Sequence, residues 1–387
     1  MTSTVENTVE NTVERTSPAV LADGETASPA AGAGTEAAGT AATNRVLANR
    51  RSRKRRELLV GSAIAVVALI VFTLALTLGD FPVSPSQLIG SLLSPITGSA
   101  NPGIDFIVLE LRLPRAIAAL LVGAAFGIAG IVFQSILRNP LASPDVIGIS
   151  AGASAAAVYA IVLLGWSGIL VSFSAFAGAA VAAIAIAAFA WRKGLDGYRI
   201  VLVGIGVAAI LNAVVSYVLT RGTITEAQQA LTWLVGSFNG SSFESQVVPL
   251  AIALAVLLPL VLVLGPDLKN LQLGDDAARA LGTRAELSRV VLLGAAVVLA
   301  AFAAATVGPL AFVAFLAGPI ARRILGTASL GVIPTALIGA IITIGADLVA
   351  QYLFPVQLPA GVVTGAVGAP YLLWLLATSS RAKKGRS

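Results

Sequence analysis

Residues 50–78 read RRSRKRRELLVGSAIAVVALIVFTLALTL, six cationic side chains at Arg50, Arg51, Arg53, Lys54, Arg55 and Arg56 abutting an apolar run that opens at Leu58. About 20 apolar residues of helix cross a hydrocarbon core of ~30 Å, so 58–78 is long enough to span a bilayer. The arginines before it sit where the positive-inside rule and anionic head groups place them, rather than where a nucleic acid would need them. A long polar segment precedes the cluster and no small-residue cleavage site follows the run, so a cleaved signal peptide is not expected.

Further runs of similar length follow at 116–136, 146–165, 168–190, 199–219, 247–265, 289–308, 331–350 and 360–378, with a shorter one at 309–321 after Gly308-Pro309. The expected fold is therefore all-α, a polytopic membrane helix bundle of about ten transmembrane helices. Composition agrees: 57% of the 387 residues are hydrophobic and 11% charged, far below the ~25% charged of a soluble domain.

Lys and Arg set the orientation. With the N-terminus inside, the inner segments hold the 50–56 cluster, Arg138, Arg192, Lys193, Arg199, Lys269, Arg279, Arg284, Arg289, Arg322, Arg323 and the basic 381–386 stretch. The outer segments hold Arg112, Arg115 and Arg221. Both termini are expected to be cytoplasmic, and 309–321 must count as a crossing for the sum to work. The net charge of +6 is then the inner face of a membrane protein, and no nucleic-acid partner is expected.

Four regions follow. Residues 1–44 repeat Val-Glu-Asn-Thr and carry six acids against Arg15, which predicts a disordered acidic tail. Residues 45–57 form a basic juxtamembrane segment, 58–378 the membrane domain, and 379–387 a basic cytoplasmic C-terminus.

The chain has no His and no Cys, so imidazole bases, thiolates and Cys/His metal cages are excluded and no catalytic or metal site is expected. Asp347 is the one clear ionisable residue inside a span, with Gln134 and Asn212 as uncharged polar companions. Asp347 reads either as an interhelical hydrogen-bonding group or as the coupling group of a secondary transporter or channel. Gly123/Gly127, Gly148/Gly152 and Gly361/Gly365 put small residues on one helix face, which supports close packing. No Gly-x-x-x-x-Gly-Lys-Ser/Thr loop occurs, so a nucleotide would have to be held by another subunit.

The longest inner connection, 266–289, contains Leu271, Leu273, Gly274, Asp275, Ala277, Ala278, Leu281 and Gly282. Gly274 can turn the chain, Asp275 is a plausible N-cap, Ala277, Ala278 and Leu281 make a small apolar stripe, and Gly282 suits a left-handed C′ position. The short helix this predicts either lies on the lipid interface or docks into a cytoplasmic partner.

Arg112-Leu113-Pro114-Arg115, Gly123-Ala124-Ala125, Gln134, Arg138-Asn139-Pro140-Leu141-Ala142-Ser143-Pro144-Asp145, Trp233-Leu234-Val235-Gly236-Ser237, Leu273 to Gly282, Pro319, Arg322, Asp347, Leu358-Pro359 and Gly368-Ala369-Pro370 occur in order. Together they resemble the FecCD-type permease family, the membrane subunits of ABC importers for ferric siderophores, haem and vitamin B12. The resemblance covers about 58–378. It implies that 266–284 forms the helices that couple to an ATPase, that Arg112 and Arg115 meet acidic groups of an extracytoplasmic substrate-binding protein, and that Asn139, Pro140 and Leu141 belong to a cytoplasmic gate. It implies further partners: a second permease subunit, the same chain or a paralogue, two ATPase subunits that hold the ATP and magnesium this chain lacks, and membrane lipid. A second constriction is implied around 192–199. The sequence departs from the family at Ile320, Gln351 and Gln357, where many members carry His, Arg and Glu.

Overall fold

In a computed structural model, residues 55–98, 101–191, 197–326 and 331–384 are described. The acidic tail, most of the basic 45–57 segment and the core of the 192–199 connection lie outside them.

Every long apolar run forms a helix. In chain order these are α1 Arg55–Thr77, α2 Pro85–Thr97, α3 Pro102–Ile136, α4 Ile149–Leu164, α5 Ile169–Ala190, α6 Gly197–Leu219, α7 Ile224–Val235, α8 Phe243–Val263, α9 Gly265–Gln272, α10 Asp275–Ala280, α11 Ala285–Val307, α12 Val313–Leu325, α13 Val332–Tyr352 and α14 Ala360–Lys384. Seven of them, α1, α3, α5, α6, α8, α11 and α13, are long and apolar enough to cross a membrane unaided. The remaining three expected spans are shorter: α4 has 16 residues and α12 has 13, while the apolar part of α14 ends at Leu375. The segment expected at 309–321 starts four residues later, because Gly308 and Phe312 both take left-handed backbone angles that no helix continues through. At the other end, α14 runs on through Lys384, so residues 379–384 of the basic C-terminus, expected as a separate segment, continue the last helix.

α3 is the axis of the bundle, packed along α11, α12 and α13. Its first turns are irregular: Phe106–Arg112 is a π-helical segment, directly ahead of Pro114. Proline offers no N–H and its ring crowds the carbonyl four residues back, here Glu110, so the ladder widens rather than closing in α geometry. The close approaches depend on missing side chains. Gly123 and Gly339 face each other so tightly that a Cβ on either would fall on the other's carbonyl, and Gly127 lies against the Thr335 carbonyl, 2.6 Å from where its Cβ would be. Thr343 sits beside this contact and its Oγ1 donates to Ala119 O at 2.7 Å. Gly148 and Gly152 likewise approach Gly204 and Gly178, and Gly361 meets the Val235 carbonyl, whereas Gly365 faces open space.

Two short amphipathic helices lie between long ones in the chain, α2 beside the start of α3 and α7 against α4. α2 and α7 both begin with full capping boxes, Ser84 with Gln87 and Thr223 with Glu226. The reciprocal bonds satisfy N–H groups a helix start otherwise leaves bare. The Thr223 bonds also hold the exposed Glu226 carboxyl below its ordinary range.

Candidate functional site

Three polar constellations interrupt the apolar bundle. The first lies at the end reached by the N-terminus of α3's regular portion. Arg115 grips Asp347 of α13 with two bonds, Nε to Oδ2 at 2.8 Å and Nη2 to Oδ1 at 2.7 Å, and its Nη1 donates to Asn239 Oδ1 at 2.6 Å. Gln351, one turn after Asp347, donates to the same carboxylate at 2.7 Å. Asp347 is therefore an interhelical partner held by a fork-shaped guanidinium, with its oxygens already occupied. Arg112 is used differently: its donors reach Leu76 O at 2.9 Å, Thr77 O at 3.3 Å and Phe81 O at 2.7 Å. A cation on the last carbonyls of α1 is where the helix dipole favours it. Both arginines that the resemblance assigns to docking are thus engaged within the chain.

The second constellation is buried midway between helices. Pro319 sits inside α12 and cannot donate to Phe315 O. Gln134 makes up the loss: its Nε2 donates to Phe315 O at 3.2 Å and Ala314 O at 3.4 Å, while its Oε1 accepts from Arg322 Nη2 at 2.6 Å. The amide fits because Gly318 has no Cβ; one there would collide with Gln134 Oε1. Asn212, expected as a polar companion inside the spans, lies within the candidate span α6, on an exposed face of a helix buried along little of its length.

The third constellation joins the basic connections. α3 ends at Ile136, and Arg138 turns the chain with φ near +50°. Asn139 then closes a tight turn, its Oδ1 accepting from the Leu141 N–H at 2.9 Å and its carbonyl from the Ala142 N–H at 3.1 Å. Asn139 and Pro140 are exposed and Leu141 half-buried. Against this turn lie α9 and α10, which replace the single short helix expected from the sequence. Gln272 Nε2 donates to Ser135 Oγ at 2.9 Å, Asn270 Nδ2 donates to Thr283 Oγ1 at 2.9 Å, and Ser288 donates to Asp267 at 2.5 Å.

Gly274, at φ +108°, is the cap of α10 and Asp275 its first residue, so the N-cap expected at Asp275 is one position late. The carboxylate instead binds Arg289 at the start of α11, and that guanidinium holds its carboxyl below the usual aspartate range. Gly282 takes the left-handed angle expected of it. Leu268, Leu271 and Ala278 are buried and fasten the two helices down, while Leu273 and Leu281 are 66% and 60% exposed. Sequence reasoning missed Asn239, Gln272 and Arg289; the missing donor of Pro319 was the one signal that could have flagged Gln134 as a structural hub.

The model of the FecCD transport family matches residues 66–378. The chain belongs to this family. As a FecCD protein it is a multi-pass membrane permease. It is similar to the ferric enterobactin transport system permease protein FepG of Escherichia coli (strain K12), 40% identical over 330 residues that cover 85% of this chain and 98% of the relative. The Fe(3+)-citrate import system permease protein YfmE of Bacillus subtilis (strain 168) is 38% identical, with the same two coverages. The vitamin B12 import system permease protein BtuC of Serratia proteamaculans (strain 568) is 35% identical over 86% of this chain and 95% of the relative. Among solved structures, a metal-chelate type ABC transporter in an inward-facing conformation superposes with a TM-score of 0.72 at 25% identity, covering 82% of this chain and 98% of that one. FecCD membership accounts for the permease fold.

Proposed function

We propose that this chain is the membrane-spanning subunit of an ATP-driven importer for ferric siderophores, with haem or cobalamin as alternative cargo. The observation that carries the reading is the helix pair α9–α10. It is fastened to the bundle by buried Leu268, Leu271 and Ala278 and presents the exposed Leu273 and Leu281 outward. Two apolar side chains on a rigid, hydrogen-bonded ledge suit the cleft of a protein partner. Because Gln272 is bonded to Ser135 at the end of α3, displacement of the ledge is passed to the 138–142 turn.

In this reading the basic end is cytoplasmic, the ATPase subunits that hold ATP and magnesium dock on α9–α10, and Asn139, Pro140 and Leu141 close the path from each of two permease copies. The opposite end, with Arg112 and Arg115, faces the substrate-binding protein. Their guanidiniums are occupied and the charge of Arg115 is balanced by Asp347, so Arg112 carries the net positive charge there and both contribute through the donors left over. Ferric enterobactin and Fe(3+)-citrate, in the names of FepG and YfmE, support an iron-chelate cargo. A secondary carrier is not favoured, because Asp347 is neutralised by Arg115.

The test is uptake into sealed vesicles carrying the chain with its ATPase partner. Ferric siderophore should enter only when ATP and the binding protein are both supplied; uptake sustained by a proton gradient without ATP would overturn the proposal.

A further inference from the structure

At the basic end, between the last turn of α3, α9 and the end of α12, lies an open cleft of about 330 Å³ lined by Gln134, Ser135, Arg138, Asn139, Pro140, Gln272 and Arg322. We propose that it binds a small multivalent oxyanion, a polycarboxylate or a phosphate. Room for about ten waters is enough for such a group with part of its hydration.

The donor inventory points to this class. Two guanidiniums line the cleft and no Asp or Glu does. Arg322 is half-buried, and its bonded partner is the neutral Gln134 Oε1; among the described residues no carboxylate stands within 4.0 Å of it. The charge of Arg138 is felt by Asp275, but that carboxylate is already bonded to Arg289, so the neighbourhood stays cationic. The amides hold one another: Gln272 is bonded to Ser135, and Gln134 to the α12 carbonyls. Asn139 spends its Oδ1 on the Leu141 N–H and keeps its amide donors. Rigid walls with unspent N–H groups and no competing acid suit a planar carboxylate or a phosphate, which guanidinium forks engage with paired bonds.

The occupant would touch both the gate turn, through Arg138 and Asn139, and the ATPase ledge, through Gln272. Such an anion would link the two elements whose relative motion opens the path. The inference rests on the importer reading only for the compartment from which the anion arrives. Two sources share the chemistry, carboxylates of an iron chelate on its way out and cellular phosphate.

The full chain in nanodiscs is titrated with citrate, ferric citrate and inorganic phosphate by calorimetry. Saturable binding that weakens with salt is expected for at least one of them. Citrate and ferric citrate alone would assign the site to cargo; phosphate alone would assign it to the cell's phosphate. The double variant Arg138→Gln, Arg322→Gln should weaken binding at least ~10-fold, and Arg322→Lys should lose less. Because Arg322 also supports Gln134, the exposed Arg138→Gln is measured alone, and its unfolding temperature should match the wild type. Absence of saturable binding by all three anions, or equal affinity in the wild type and Arg138→Gln, overturns the proposal. If vesicle uptake fails while binding persists, the importer reading falls and the anion site stands; the reverse result separates them the other way.

Discussion

Arg115 and Asp347, 232 residues apart in the chain, meet in a two-point ion pair at 2.8 and 2.7 Å that ties the start of α3's regular portion to the last third of α13. Their side chains are only 19% and 7% exposed. Removing one partner from such a site leaves a charge that cannot recover its water.

Asp347→Asn should therefore cost about 2–4 kcal/mol of stability, read as a lower unfolding temperature in detergent. Adding Arg115→Gln should recover part of that loss, because the stranded cation is gone. A coupling carboxylate would behave otherwise, with transport abolished and the unfolding temperature unchanged.

Gly339→Ala should destabilise by about 1–3 kcal/mol, since its Cβ would fall on the Gly123 carbonyl and backbone cannot move as a flexible side chain can. Gly345→Ala on the same helix meets nothing within 4 Å and should be neutral or slightly stabilising. Parallel thermal unfolding of the two variants checks the contrast.

Gln134→Leu should cost ~2 kcal/mol by leaving the Phe315 carbonyl without a donor and Arg322 without its acceptor. In a Pro319→Ala background the backbone N–H of residue 319 becomes available to that carbonyl, so the penalty should shrink. A double-mutant cycle on unfolding free energies measures the coupling.

Asp145 lies in the loop between α3 and α4, outside the helices. Its Oδ1 accepts from Ser150 and its Oδ2 is buried without a partner. Burial pushes its carboxyl from 3.8 up to about 6. The folded state then holds the proton more tightly than the unfolded one, so this group's penalty is absent below pH 4, grows as pH rises from about 4 to about 6, and is complete above that. Asp145→Asn should stabilise the protein by up to ~3 kcal/mol at pH 7.5, with the gain vanishing near pH 4. Urea unfolding across that range is the measurement.

The ten hydrophobic runs were legible because a membrane span is a property of a local window: enough apolar side chains in sequence dictate a helix whatever surrounds them. α4 still came out shorter than its run suggested and α12 displaced along the chain, since left-handed angles at Gly148 and Gly165 bound the first and one at Phe312 starts the second. The ledge near 274–282 was legible for a similar reason, with glycines at φ +108° and +83° bracketing one short apolar stripe. Its division into α9 and α10 was not, because an eight-residue helix with an internal Asp-Leu-Lys-Asn has too little periodicity to announce itself.

Local composition thus determined by itself that the chain is a helical membrane protein, where its spans lie and where its cations collect. Only the tertiary structure decided what the few polar side chains do. Asp347 stood open between an interhelical partner and a coupling group until Arg115 was seen against it, and Gln134 was no more than a polar companion within a span until the carbonyl beneath Pro319 was found in its reach. A hydrogen bond is satisfied or not within about 3 Å, and across 180 or more residues no helical period carries that distance.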